Sequence, residues 1–214
     1  EDIKAALRKG TRDRTFAPVL CGSATHNIGI DLLMDLIADC MPAPTDRNAW
    51  PAINPADGSP IECAPDPEGP FAGFVFKTVA DPYAGRLSIF RVVRGKLGAD
   101  GTFYNVTKET KERFNQLLTI AGKEQKPVPA AGPGSIVAVA KLKETTTGDT
   151  LCSDSDKVKI ECTQPLPTLM SFALQPKSKG DEDKIHSSLK RLIEEDPCLK
   201  VIRDEETKEM IISG

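Results

Sequence analysis

"FAGFVFKTVADPYAGRLSIFRVVRGKLGADGTFYNV" (residues 71–106) decides the fold. Three short β-rich runs, "FAGFVFKTV" (71–79), "RLSIFRVVR" (86–94) and "TFYNV" (102–106), are separated by the turn signals "DPYAG" and "GKLGADG". The pattern continues in "RFNQLLTI" (113–120), "SIVAVAKL" (135–142) and "DKVKIEC" (156–162). Strands at this spacing with no helix between them indicate a small antiparallel barrel or sandwich over 71–165.

Upstream the period changes. Residues 1–9 read as a short helix stopped by Gly10, and "FAPVLC" (16–21) reads as a brief strand. From Ile30 the apolar positions 30, 33, 34, 37 and 41 form a helical stripe, which Pro42 and Pro44 end. Residues 1–44 thus form an α/β piece too small to own a complete sheet. Residues 45–70, rich in Pro, Gly, Asp and Asn and without periodicity, read as a linker. Trp50 within it reads as a packing residue.

Downstream of Pro165 and Pro167 lies a third unit, 166–214. "TLMSFALQP" (168–176) reads as a strand and "KGDEDKIHSSLKRLIEEDP" (179–197) as a helix with an acidic first turn. "CLKVIRDEETKEMIISG" (198–214) reads as two strands around a polar turn. A β-α-β-β unit normally needs a further helix over its sheet. Residues 168–214 are therefore expected either to be mobile or to pair with the same segment of a second molecule.

Composition excludes several functions. The formal net charge of −3 argues against a strongly basic nucleic-acid glove or a DNA-binding protein, although a local basic face remains open. No apolar run is long enough to span a membrane, and the charged N-terminus lacks the layout of a signal peptide. The six scattered cysteines include no C-x-x-C, and His26 and His186 flank no cysteine pair, so no metal site is expected. Reduced, mostly buried thiols of a cytoplasmic protein are the expectation. There is no phosphate loop; the Gly-rich "PVPAAGPGSIV" (127–137) reads as a strand connection. No catalytic triad or dyad can be assembled. The acidic clusters 181–183, 194–196 and 204–206 read as solvated helix ends and a hairpin turn. Among the basic residues of the barrel, Arg86, Lys108 and Lys111 sit at turns from which they could reach phosphates. On residues alone the chain is a multi-domain binding piece with no catalytic centre.

Three stretches resemble bacterial elongation factor G, a ribosomal GTPase, in that family's own order. "VLCGSATHNIGIDLLMDLIADCMPAP" is similar to the end of its GTPase domain. "FVFKTVADPYAGRLSIFRVVRGKL" with "KLKETTTGDTL" is similar to its second domain, and "SFALQPKSKGDEDKIHSSLKRLIEEDP" with "RDEETKEMIISG" to the start of its third. The resemblance implies a multi-domain α+β fold: the end of a P-loop-type GTPase α/β domain, a translation-factor antiparallel β-barrel, and part of a ferredoxin-like domain. It implies that Gly22, Ser23, Ala24 and Thr25 are the guanine-binding corner of the intact protein, with backbone N–H groups meeting the guanine carbonyl. GTP or GDP with Mg is the implied cofactor of the intact parent, and none is implied for this stretch alone. The implied partner is the ribosome, met through small-subunit RNA and proteins, and the implied role is translocation in the cytoplasm.

The family's catalytic motifs lie outside these residues, and neither His26 nor His186 matches the catalytic histidine. "GSATHNIGID" lacks the lysine common after the corner, and "GKEQKPV" (122–128) points to a divergent paralogue. Open alternatives are a tetracycline-protection-like or release-factor-3-like GTPase, and a free-standing β-barrel binding module.

Overall fold

The computed structural model describes residues 2–81, 85–176, 178 and 180–214, leaving aside the side chains of Glu182 and Asp183. The interior of the "DPYAG" turn and two of the three acidic side chains at 181–183 fall outside this set. The chain divides into two compact units, 1–48 and 49–214.

The first unit packs helix α1 (Asp2–Arg12) against helix α2 (Ile30–Cys40). Lys4 reaches Asp39 at 3.1 Å and the Arg8 guanidinium donates to the Asp39 carbonyl, fixing one end of the pair. Gly10 does not stop α1. It is buried inside the helix because the Phe16 ring lies where a β-carbon would stand. The expected strand at 16–21 does not form either. A strand exists only through a ladder partner, none pairs with it among the described residues, and Val19 is left 90% exposed.

The second unit begins inside the stretch read as a linker. Strands β1 (Trp50–Ile53) and β2 (Pro60–Cys63) form a hairpin closed by the Asn54–Ser59 turn, where Asn54 N–H donates to the Ser59 carbonyl at 2.8 Å. The runs are too short, and too interrupted by Pro51 and Pro60, to show a period of two. Pro51 is tolerated because the third strand of this sheet overlaps only Ala52 and Ile53.

Among the described residues ten strands follow: β3 (Ala72–Asp81), β4 (Gly85–Arg94), β5 (Leu97–Gly98), β6 (Gly101–Asn105), β7 (Thr110–Phe114), β8 (Leu118–Ala121), β9 (Glu124–Pro127), β10 (Ala130–Ala131), β11 (Ile136–Ala140) and β12 (Thr150–Cys152). Eight of these run antiparallel in the order β7-β6-β12-β3-β4-β11-β8-β9, while β5 pairs with β10. The run expected as one strand at 113–120 breaks between Phe114 and Leu118. Short β13 (Lys159–Ile160), expected to belong to the barrel, pairs instead with β1.

Alternation sorts β4 onto two faces. Phe90 and Val92 enter a core with Phe71, Phe103, Phe114, Val137 and Leu151, to which edge strand β7 and inner strand β11 both contribute, so the sheet curls on itself as a barrel. Phe103 and Phe114 stack at 5.3 Å, and Phe71 meets Phe90 edge-on at 6.3 Å. Each fully buried phenylalanine stabilises this core by roughly 2–3 kcal/mol. On the opposite face Val93, Ala72 and Cys152 pack against Ala52, Cys63 and Ile160. The β1–β2 hairpin is therefore the cover of the barrel's outer face.

The chain ends in a β-α-β-β unit as expected: β14 (Ser171–Leu174), helix α3 (Glu182–Glu195), β15 (Lys200–Arg203) and β16 (Met210–Ser213), in sheet order β14-β16-β15. The helix starts three residues later than its sequence run and packs against β3 as well as β15.

All six cysteines are free, but only Cys40, Cys63 and Cys152 are buried. Burial pushes the Cys152 thiol up to about 11 and raises Cys63 in the same direction. Alkylation of the native protein at pH 8 should modify exposed Cys21 and Cys162 first, leaving Cys63 and Cys152 intact until denaturant is added. Peptide mapping by mass spectrometry after timed quenching checks this order.

Candidate functional site

Gly22-Ser23-Ala24-Thr25 forms a closed corner. Ser23 and Ile28 exchange backbone hydrogen bonds at 2.9 and 3.0 Å, and Asn27 N–H donates to the Ala24 carbonyl at 3.3 Å. A β-carbon at Gly22 would stand 2.8 Å from the Ile28 carbonyl oxygen, so only glycine lets the chain close here. Gly29, at φ 74°, then turns the chain into α2. The Ser23 and Thr25 hydroxyls lie 3.3 Å apart. Among the described residues, neither Ala24 N–H nor Thr25 N–H has a hydrogen-bond acceptor. The corner is a closed turn whose Ala24 and Thr25 are exposed.

A second constellation occupies the barrel loop 143–149, part of "KLKETTTGDT". Alternation along β7 turns Glu112 inward beside Phe114, leaving it 8% exposed. A carboxylate there is costly unless it is well bonded. It accepts from the backbone N–H groups of Lys143 (2.6 Å), Glu144 (3.0 Å) and Thr145 (3.0 Å), and from the Thr145 hydroxyl. Burial alone would raise its pKa, but these four donors outweigh it and hold the group below its ordinary 4.5. Buried Asn105 donates to Thr145 Oγ1 at 3.1 Å and to Asp149 Oδ2 at 2.9 Å, while its own carbonyl accepts from Lys108 N–H at 3.0 Å. Asp149 also takes Thr146 N–H at 2.8 Å. Gly148, at φ 94°, then donates to the Val75 carbonyl at 2.7 Å, locking the loop onto β3.

The three basic turn residues separate. Arg86 is turned inward: its guanidinium donates to the carbonyls of Lys143 (3.3 Å) and Thr145 and faces Glu194 of α3 at 3.8 Å. It is a largely buried cation with three partners rather than a free surface one. Lys108 is exposed at the β6–β7 turn, and Lys111 is exposed beside it, paired with Asp154 at 2.7 Å. That ion pair raises the Lys111 pKa and lowers that of Asp154. Lys111 stands opposite Tyr104, and Arg113 opposite Thr102, in the β6–β7 register. The Lys157 ammonium lies 3.9 Å from the centre of the Tyr104 ring. Lys157 and Arg113 were not singled out by sequence. Alternation places Arg113 on the outer face with Lys111, whereas nothing in the sequence places Lys157 over Tyr104.

Between β3, loop 146–149, the segment after β13 and the residues following α3 runs a groove of about 750 Å³, lined by Phe74, Phe76, Lys108, Thr147, Cys162 and Cys198 among others. Phe76 is the extra residue of a β-bulge, which turns it outward. No cluster of three metal-ligating side chains occurs among the described residues, and no described helix is long and apolar enough to cross a membrane.

This is the architecture of a translation-factor β-barrel followed by the opening of an α+β domain. The family model for elongation factor G domain 2 matches residues 70–154, and that for elongation factor G domain III matches 165–214. A crystal structure of a protein from Thermus thermophilus aligns over 99% of the chain at 27% identity and TM-score 0.76; the chain covers 29% of that protein. The chain belongs to the elongation factor G family of translation elongation factors.

Replacing Glu112 by Ala would orphan three backbone donors and should destabilise the second unit by about 3 kcal/mol. The contribution of Glu112 to stability should be fully present above pH 4.5 and lost as pH falls through its lower folded value, because protonation removes the acceptor. Denaturant melts of wild type and Glu112→Gln from pH 7 to 3 check this. The difference between the two should shrink towards acid.

Proposed function

We propose that the chain is the docking and relay portion of a ribosome-dependent GTPase that promotes translocation in the cytoplasm. Its barrel binds small-subunit RNA, and its first unit supplies the guanine-binding corner. The observation that carries this reading is the outer face of β6–β7, where Lys111 stands opposite Tyr104, Lys157 lies over its ring, Arg113 follows on the same face, and exposed Lys108 sits at the adjoining turn. On a chain of net charge −3, a local cationic face with an aromatic centre suits phosphates of a structured RNA. Asp154 does not cancel it, since an exposed ion pair is worth little and yields to a phosphate.

At the corner, the N–H groups of exposed Ala24 and Thr25 suit the carbonyl oxygen of guanine. GTP or GDP with Mg would take its phosphate contacts from residues other than these. The acceptor-free donors support this assignment, as does the glycine-dependent closure of the turn. Exposed Phe172 and Ile202, on opposite faces of the last sheet, support pairing of 168–214 with a second copy.

The RNA reading is tested by binding to isolated small ribosomal subunits across a salt series. Lys108→Ala/Lys111→Ala should weaken binding and lower the slope of log affinity against log salt by about two. An unchanged slope would assign both lysines to solubility alone.

A further inference from the structure

Arg86 is the point where the barrel's polar loop meets the last domain. Two of its nitrogens donate to carbonyls of loop 143–145, and one of them also faces Glu194. The next residue of α3, Glu195, accepts the Ala80 backbone N–H of β3 at 2.7 Å. Glu194 and Glu195 thus hold the C-terminal end of α3 against the barrel strands. The Arg86 and Glu194 side chains are only 18% and 26% exposed, so their attraction is less screened than at the open surface. Acidic residues at a helix C-terminus oppose the helix dipole, and no basic residue occupies the last turn of α3. That end of the helix therefore depends on cations and donors supplied by the barrel.

We propose that Arg86, with Glu194 and Glu195, forms a latch coupling loop 143–149 to the docking of α3. A ligand or strain that draws the loop away from the guanidinium loosens α3, and release of α3 frees the loop's carbonyls in return. The two sites share one planar cation, whose fork fits the loop only while its body stays beside Glu194. The groove between loop 146–149 and the residues after α3 widens when the latch opens.

Amide hydrogen exchange at Ala80, followed by NMR, tests the latch directly, because that N–H is bonded only while α3 is docked. Glu194→Gln/Glu195→Gln should speed Ala80 exchange about fivefold to tenfold and leave β11 amides unchanged. Coupling is tested from the loop side. Glu112→Gln, with no change at α3, should also speed Ala80 exchange, and adding Arg86→Met should give no further increase. Should Glu112→Gln not fold, Thr145→Val takes its place, since it removes only the hydroxyl from the loop's anchorage. Ala80 exchange within twofold of wild type in the double glutamine variant would overturn the latch. Acceleration there with none in the loop variant, or additive effects with Arg86→Met, would overturn the coupling. None of these readouts uses RNA, so they stand apart from the docking test.

Discussion

The buried carboxylate of Glu112 is the constraint on which the second unit depends. It is placed in the core by strand alternation, and it stays ionised there because three backbone N–H groups and a hydroxyl converge on it. Those donors belong to three consecutive residues, so the chain at 143–145 can follow only one path. Thr145 shows how completely that path is fixed. Its N–H and hydroxyl go to Glu112, its hydroxyl oxygen accepts from Asn105, and its carbonyl accepts from Arg86. A half-satisfied network of this kind would cost more than an apolar core; a complete one selects a single loop conformation.

Consequences spread from that loop in three directions. Through Gly148 and Val75 it is stitched to β3, next to the bulge that turns Phe76 into the groove. Asn105 ties it to the β6–β7 turn, so Lys108 is held by its own N–H while its side chain stays free. Through Arg86 it meets α3 and the last sheet. The proposed RNA-facing turn and the proposed latch are therefore two ends of one hydrogen-bonded network. A barrel held together by apolar packing alone would give neither a fixed position relative to the other.

Much of this was legible in the sequence, and the failures have physical causes. The long strands β3 and β4 were readable because their runs outlast a turn and end in Pro or Gly signals, and β11 because its apolar run opens just after Gly132-Pro133-Gly134. The β1–β2 hairpin was not, since four-residue strands with proline cannot display a period. Gly10 was misread as a helix stop because its role, making room for Phe16, is a tertiary contact that no local rule contains. Arg86 looked like a free turn cation for the same reason: its partners lie 57, 59 and 108 positions away. Glu112 left a usable trace, a charged residue at a core-facing position beside Phe114. The corner at 22–25 was legible as a turn, while its proposed guanine-binding role rests on the family resemblance.

Whether Glu112 fixes the loop can be read from native-state hydrogen exchange at Lys143, Glu144 and Thr145. These three amides lie in a loop with no strand ladder, where exchange is ordinarily fast. If the carboxylate holds them, they exchange as slowly as the central strands β3 and β4, in step with global unfolding of the unit. Exchange at the rate of the exposed turn at 54–59 would show that the loop opens freely and that Glu112 does not fix it.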